Sequence, residues 1–360
     1  MQTLHESRKV IYHLSVMHTF QDIFGQSKAI DAIRRAYVAD RLPHGLIFAG
    51  PTGVGKATTA AALSKLFLCE HPNADIPCGQ CGSCRIFAAG NHPDHHIITK
   101  ELIRYHDKTG KSKGIELSIN VLRPELIEPA NRKPMMGRGK VFIVEQAELM
   151  NAQAQNSILK TLEEPAGRTI IVLLTDQPSS MLPTIRSRCQ MFQFAPLELP
   201  MVLVELQKRG IDQSTAADAA RFAEGSLGVA LKWIEDGVIE PARDLTRQLE
   251  GLSRGQMPEN LPAWFKSAAE AYAEKQLERD ELASKDQANR EGLNLYLRIA
   301  AAYFRRRLAH DSGDIELEKT CAAIDSIARA ETYLDANVNV PIIFQQLALT
   351  FARDYRSSSR

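Results

Sequence analysis

The residues best suited to chemistry form a glycine-rich stretch, Gly50-Pro51-Thr52-Gly53-Val54-Gly55-Lys56-Ala57-Thr58. It follows a short apolar run, Leu46–Ala49, and precedes a segment of helical character, Thr59–Phe67. A strand, a glycine-rich turn and a helix are the setting of a phosphate-binding loop, because glycines let successive backbone N–H groups turn toward an anion. The helix N-terminus adds positive potential, and the lysine would reach the terminal phosphates of a nucleotide. The predicted phosphate site comprises Gly50, Thr52, Gly53, Gly55, Lys56 and Thr58.

The loop departs from the usual pattern at the residue after the lysine. That position normally carries a Ser or Thr hydroxyl that binds Mg²⁺, and here it is Ala57. Thr58 follows, but one residue along a helix is a rotation of about 100° around its axis. We therefore expect the pocket to form while binding of ATP and Mg²⁺ is weak or absent.

A second nucleotide-site element is the apolar run Val141–Val144, which ends in Glu145-Gln146 and resembles an element of P-loop ATPases. In those enzymes the first acid holds the water shell of Mg²⁺ and the next activates the attacking water. Gln146 cannot accept a proton and so cannot act as a general base, which predicts defective hydrolysis. Thr175 ends another apolar run, Thr169–Leu174, at the edge where open parallel sheets place their ligands.

Four of the six cysteines lie close together, at Cys69, Cys78, Cys81 and Cys84. In a reducing compartment such spacing indicates a metal site rather than disulfides. Zn²⁺ takes four thiolates tetrahedrally, and a site with no open position is structural rather than catalytic. Buried reduced cysteines are the alternative. The nearby histidines are expected at the surface or in turns; they are His71, His92, His95 and His96.

The composition of the 360-residue chain, with 44% hydrophobic and 24% charged residues, indicates a globular protein of two or three domains. The net charge is only +1, so contact with nucleic acid would need local patches. One such patch is the loop at residues 100–118, either a solvated excursion or a contact with a nucleic-acid backbone; its basic residues are Arg104, His106, Lys108, Lys111 and Lys113. No apolar run could span a membrane and residues 1–18 lack a secretory signal, which predicts a cytoplasmic location. Residues 1–16 are an extension or reflect a misassigned start, with Met17 as the alternative to Met1.

Hydrophobic spacing predicts the elements around these residues. A helix is expected over Ser27–Tyr37 with Ser27 as its N-cap, after a Phe20–Gln26 segment that is either an ordinary entry or a wall beside an adenine. Residues 119–131 are weakly helical, and Met150–Leu162 reads as one helix. Beyond Pro196 the pattern is helical to the end of the chain.

With these elements in order, the chain from Phe20 to Phe351 resembles the bacterial DNA polymerase III clamp-loader subunits of the AAA+ ATPase class. The likeness is carried by five segments: Gly50–Thr58, the cysteines of residues 69–84, Lys140–Glu148, Asn156–Pro165 and Thr184–Cys189. In that family, the arginine of the Ser187-Arg188-Cys189 triplet reaches the γ-phosphate of ATP bound by the neighbouring subunit. The resemblance thus implies that Arg188 is an arginine finger acting in trans.

The resemblance also separates two kinds of subunit. Gly228 stands where the second sensor of the family carries an arginine, so it adds to the defects at Ala57 and Gln146. A subunit that supplies an arginine but cannot hydrolyse ATP itself resembles the stator of the clamp loader. The alternatives are an active ATPase motor subunit, since Lys56 and its glycines remain, and a zinc-dependent nucleic-acid-binding module with a vestigial ATP fold.

The expected architecture is an α/β AAA+ P-loop domain over residues 17–195, a parallel sheet with the zinc knot of residues 69–84 inserted. A small helical lid over residues 196–240 and an all-α collar over residues 241–360 follow. The implied partners are the gamma/tau and delta subunits, the sliding clamp, and primed DNA contacted at its backbone without sequence preference. The implied cofactors are structural Zn²⁺ and, weakly if at all, ATP with Mg²⁺.

Overall fold

The computed structural model describes residues 19–106, 116–136, 138–254, 256, 260–279, 284–308, 314–336 and 338–356. The predicted extension at residues 1–16, the choice between Met1 and Met17, and the basic residues Lys108, Lys111 and Lys113 lie outside them. The chain divides into two compact units. One comprises the described residues up to Met201 together with Gly225–Gly228, and the other comprises Val202–Glu224 and the described residues from Val229 onward.

The first unit is built on a five-stranded sheet in which all neighbours are parallel, in the order β2-β3-β4-β1-β5. The strands are β1 Gly45–Ala49, β2 His95–Ile98, β3 Lys140–Val144, β4 Thr169–Thr175 and β5 Cys189–Gln193. The three central strands are buried along their whole length, as the continuous apolar runs predict for a sheet covered on both faces. The expected parallel α/β sheet is therefore present.

Alternate residues of each central strand enter two separate cores. In β1, Leu46 and Phe48 pack into one core, and Ile47 and Ala49 pack into the other. The helices that cover these faces in the described residues are α1 Ser27–Val38, α2 Lys56–Leu68, α3 Gly82–Ala88, α4 Ile103–His106, α5 Ile119–Leu122, α6 Glu128–Ala130, α7 Ala152–Ser157, α8 Leu159–Glu163 and α9 Pro183–Arg186. Short 3₁₀ turns occupy Phe20–Asp22, Lys100–Leu102, Ala147–Leu149 and Pro178–Ser180, and a π turn occupies Arg123–Ile127.

Two local predictions were wrong. Ser27 is the first helical residue of α1, and the N-cap position is occupied by Gln26. The side chain of Gln26 does not cap the helix, since its Nε2 donates to the carbonyl oxygens of Val54 and Ala195. The single helix expected over residues 150–162 is two helices, which meet at Ile158. The hydroxyl of Ser157 donates to the carbonyl of Ala154 at 2.7 Å, which is a local alternative to the helical hydrogen-bond ladder.

From Leu199 onward the described chain is helical. The helices are α10 Leu199–Lys208, α11 Gln213–Phe222, α12 Leu227–Glu235, α13 Ile239–Ser253, α14 Leu261–Arg279, α15 Lys285–Leu308, α16 Asp314–Asp335 and α17 Val340–Arg356. Gly292 brings α14 and α15 together, since a Cβ atom there would lie 3.0 Å from Ala269 Cα. Aromatic pairs fill this core, among them Phe265 and Phe344 with ring centroids 4.6 Å apart.

The predicted boundary between a lid and a collar near residue 240 stays a prediction. No helix in the described part of the chain has both the length and the apolar character needed to cross a bilayer.

Candidate functional site

The glycine-rich stretch forms a loop between the end of β1 and the start of α2. Gly53 and Gly55 have φ angles of 76° and 105°, in the left-handed region that favours glycine. Lys56 is the first residue of the helix. The predicted order of strand, loop and helix is therefore present, with the loop at the carboxyl end of a central strand.

Lys56 turns toward its own loop. Its Nζ donates to the carbonyl oxygens of Gly50 and Pro51, the latter at 2.7 Å. The residue is 9% exposed, and burial lowers the pKa of its ammonium group, while the nearby Asp176 and Glu148 raise that pKa. The Lys56 ammonium group, which would bind a phosphate in an occupied loop, thus interacts with two carbonyl oxygens and with the charges of two carboxylates.

Those two carboxylates were not predicted from the sequence. Glu148 follows β3 and Asp176 follows β4, so both lie at the carboxyl edge of the sheet beside the loop. Burial raises the pKa of Glu148, and Thr175 and Lys56 counter that rise. The hydroxyl of Thr52 donates to Oδ2 of Asp176 at 3.2 Å. The predicted residues Thr52, Lys56 and Thr175 therefore come together with two acids, and the position of each acid after a strand is a sequence signal that could have identified it.

Glu145 lies in a different environment from Glu148. Burial, and secondly the neighbouring charge of Glu101, raise the pKa of Glu145 to about 7. The next residue, Gln146, is exposed and has a φ of 50° in the left-handed region. The role predicted for Glu145 in holding the water shell of Mg²⁺ stays a prediction, and the acids that interact with Lys56 are Asp176 and Glu148.

At the start of α2, Ala57 is exposed and carries no hydroxyl for a metal, while Thr58 is half-buried. The hydroxyl of the next threonine, Thr59, donates to the carbonyl of Gly55 at 2.8 Å. The site residues in this turn therefore include the loop glycines and the lysine but lack the usual metal ligand.

Two other segments hold the outside of the loop. The hydroxyl of Ser226 donates to the Thr52 carbonyl at 2.8 Å, and the N–H of Gly228 donates to the Gly53 carbonyl at 2.9 Å. Gln26 donates through Nε2 to the carbonyl of Val54 at 3.1 Å. The Phe20–Gln26 segment thus adjoins the loop, and its proposed role as a wall beside an adenine stays a prediction.

Arg188 lies at the opposite end of the sheet from this loop. It directly precedes β5, whose first residue, Cys189, pairs in register with Gly45 at the start of β1. The loop begins five residues later, after the last residue of the strand, Ala49. At a rise of about 3.3 Å per residue, the two ends are roughly 16 Å apart. The Arg188 side chain is 37% exposed and pairs through Nε with the carboxylate of Glu163.

The four clustered cysteines come together as predicted. Their Sγ atoms all lie within 4.8 Å of one another, and sulfurs bound at about 2.3 Å to one Zn²⁺ would lie roughly 3.8 Å apart. The backbone N–H groups of Gln80 and Cys81 lower the pKa of Cys78 to about 6, whereas burial raises the pKa of Cys69 and Cys84. A divalent cation would offset the cost of burying thiolates, so this donor set could hold a metal such as zinc.

The helix that follows Cys81 and contains Cys84 is linked by a chain of hydrogen bonds to the residues just before β2. Ser83 donates to the Leu68 carbonyl at 2.7 Å, and His92 Nε2 lies 3.0 Å from the same hydroxyl. His92 Nδ1 accepts from the N–H of Asp94, so Nε2 carries the proton. The expectation that these histidines lie at the surface or in turns was wrong for His95, which is 8% exposed and begins β2; His92 is also buried, at 6% exposed, but it opens a turn in which its carbonyl accepts from the N–H of His95. Ser83 and His92 therefore make hydrogen bonds that join the backbone at Leu68 to the backbone at Asp94.

Residues 25–198 match the family model described as "DNA polymerase III, delta subunit". A DNA polymerase III subunit delta' of Pseudomonas aeruginosa is 34% identical over 217 residues, which is 59% of this chain and 62% of that protein. A DNA polymerase III subunit delta' of Escherichia coli is 34% identical over 197 residues, 54% of this chain and 56% of its own. The matches thus span somewhat more than half the length of these relatives.

A solved gamma-subunit-related protein of Thermotoga maritima aligns with 92% of this chain and 100% of its own, at 19% identity and a TM-score of 0.41.

Proposed function

We propose that this chain, a delta-prime-like relative of the clamp-loader subunits of DNA polymerase III, is the stator of such a clamp loader. In this role it helps to load the sliding clamp onto primed DNA without hydrolysing ATP itself. Arg188 completes the ATP site of a neighbouring motor subunit in trans, where a guanidinium stabilises the charge that develops on the transferred phosphate.

The placement of Arg188 is the observation that carries the trans role. The arginine and the phosphate loop lie at opposite ends of the same strands, since Cys189 pairs with Gly45 while the loop follows Ala49. The guanidinium therefore cannot reach a nucleotide in its own loop. It is partly exposed, as a group that must meet another subunit has to be.

Features in and around the phosphate loop support the proposal that this chain does not hydrolyse ATP itself. Ala57 offers no metal ligand and Gln146 no general base. Gly228 packs its backbone onto the loop, at the place where the resembled family has an arginine. Lys56 contacts carbonyls of its own loop. Each of these features weakens either nucleotide binding or its chemistry.

The remaining parts of the proposal concern the metal and the partners. Cys69, Cys78, Cys81 and Cys84 hold a structural Zn²⁺ that fixes the inserted knot. The lid covers residues 196–240, and the collar at residues 241–360 packs against the gamma/tau and delta subunits. On the last helix, Ile342 and Leu349 are 56% and 71% exposed, which suits a surface covered in a hetero-oligomer.

The test is ATP turnover by a clamp loader reconstituted with this chain and its partner subunits, beside the isolated chain. We expect no turnover by the isolated chain and slower turnover by a complex that contains Arg188→Ala. Unchanged turnover in that complex would refute the trans role. Arg186→Ala is the control, because this arginine, two residues earlier, is also exposed and is the last residue of α9.

An active motor subunit is the second candidate, and the formed loop favours it. Gly53, Gly55 and Lys56 keep the backbone shape and the charge that a phosphate needs. This candidate predicts steady turnover by the isolated chain that Lys56→Ala abolishes.

A further inference from the structure

We propose that Glu163 is a positioning residue for Arg188, which holds the guanidinium so that one of its terminal nitrogens is free to meet a phosphate. The inference rests on the proposed trans role of Arg188. It assigns a task to a second residue of the same site, at the end of α8.

The contacts of Arg188 fix two of its three nitrogens. Nε donates to Oε1 of Glu163. Nη1 donates to the carbonyl of Thr184 at 3.2 Å and to the hydroxyl of Ser187 at 3.3 Å. Within the described part of the chain Nη2 makes no hydrogen bond. Because the guanidinium is planar, contacts at two nitrogens set the direction of the third.

Of these contacts, the one to Glu163 is the only one that comes from a distant part of the sequence. Thr184 and Ser187 lie within four residues of Arg188, so they move with it, whereas Glu163 ends a helix 25 residues earlier in the chain. With 37% of the arginine side chain exposed, burial alone does not restrain its rotamers. The carboxylate therefore anchors the guanidinium to the body of the unit, and it does so through a charge-assisted hydrogen bond.

This arrangement reduces the rotamer freedom that the Arg188 side chain loses when it docks against a nucleotide in a neighbouring subunit. A long side chain that is free in solvent loses rotamer freedom on docking, and a preorganised one has already lost it. Displacement of a catalytic group by about 1 Å can cost roughly 100-fold in rate. Glu163 thus acts on turnover through Arg188 and does not itself touch the nucleotide.

The experiment measures ATP turnover by the reconstituted complex at saturating and limiting ATP. We expect Glu163→Ala to lower kcat of the site served by Arg188 by about tenfold, with KM for ATP little changed. Glu163→Gln keeps an acceptor oxygen at the same reach and should retain more turnover than Glu163→Ala. Glu164→Ala is the matched control, since this adjacent exposed carboxylate forms no ion pair within the described residues.

A double variant separates positioning from any independent effect. If Glu163 works through Arg188, then Glu163→Ala combined with Arg188→Ala should be no slower than Arg188→Ala alone. Two half-exposed partners contribute little to folding, so thermal unfolding of Glu163→Ala should match wild type.

The outcomes distinguish the two proposals. Slower turnover with Arg188→Ala but wild-type or faster turnover with Glu163→Ala overturns the positioning role and leaves the trans role standing. Additive losses in the double variant also overturn it. Wild-type turnover with Arg188→Ala overturns both.

Discussion

The backbone N–H of Gly228 donates a hydrogen bond to the carbonyl oxygen of Gly53, 2.9 Å away. A Cβ atom at residue 228 would lie 2.9 Å from Gly53 Cα and 3.0 Å from that oxygen, and both are backbone atoms of the phosphate loop. We expect Gly228→Ala to lower the free energy of unfolding by about 1–3 kcal/mol, as overpacking does. The measurement is thermal unfolding followed by circular dichroism.

The matched control for this prediction is Gly251→Ala. Gly251 is also helical, but the atoms nearest to an added Cβ lie 3.6 Å away, which is ordinary contact. Alanine there should be neutral or stabilising by about 0.5–1 kcal/mol. Equal melting temperatures for the two variants would contradict the prediction, because they would show that the phosphate loop shifts to accommodate the added Cβ at no cost.

Removing the charge of Glu148 should strengthen nucleotide binding. Its carboxylate and that of Asp176 act on Lys56, so they compete with a phosphate for the same ammonium group. Glu148→Gln should therefore tighten binding of a fluorescent ATP analogue at pH 8 by roughly two- to tenfold. Glu164→Gln, a change of the same charge on an exposed surface, should leave the affinity unaltered. Weaker binding by Glu148→Gln would mean that this acid assists the ligand rather than competing with it.

Glu145 should make stability depend on pH. Burial raises its pKa in the folded state to about 7 from an ordinary value of 4.5, so between these values the folded chain binds more protons than the unfolded chain. The contribution of Glu145 is thus fully present below pH 4.5 and is lost as the pH rises through 7. Its slope is at most about 1.4 kcal/mol per pH unit.

The measurement for Glu145 is chemical denaturation from pH 4.5 to 8, with wild type and Glu145→Gln. The variant should have a flatter profile across this window because the amide does not titrate. Parallel profiles for the two proteins would contradict the raised pKa.

The four-cysteine site predicts how much zinc the chain binds and that replacing one of the cysteines removes it. We expect one zinc per chain by elemental analysis, and Cys84→Ser should remove most of it while lowering the melting temperature by several degrees. Cys321→Ser is the control, because Cys321 is an exposed cysteine outside the cluster. Full zinc content in Cys84→Ser would contradict the four-cysteine site.

The sequence alone predicted the features that are determined by residues close together along the chain. The apolar run Leu46–Ala49, followed by Gly53, Gly55 and Lys56, predicted a strand, a loop and a helix in that order. The cysteine spacing predicted a cluster because all four residues lie in one short segment. These signals need no knowledge of which distant segments meet.

The features that the sequence did not predict depend on tertiary register. Glu148 and Asp176 meet Lys56 only because β3 and β4 lie in a particular order beside β1. Glu163 meets Arg188 because α8 ends next to the loop before β5. Helix breaks such as the one at Ile158 depend on side-chain hydrogen bonds that periodicity does not record.

The separation of Arg188 from the phosphate loop, at opposite ends of β1 and β5, has a consequence for assembly. The surface that would offer the arginine is not the surface that would receive one. A contact in which Arg188 meets the phosphate loop of a neighbour joins two different surfaces, and when such contacts repeat in one sense around a ring they give the ring a direction. In such a ring, a chain whose own phosphate loop does not hydrolyse ATP would leave one subunit position without an active ATP site.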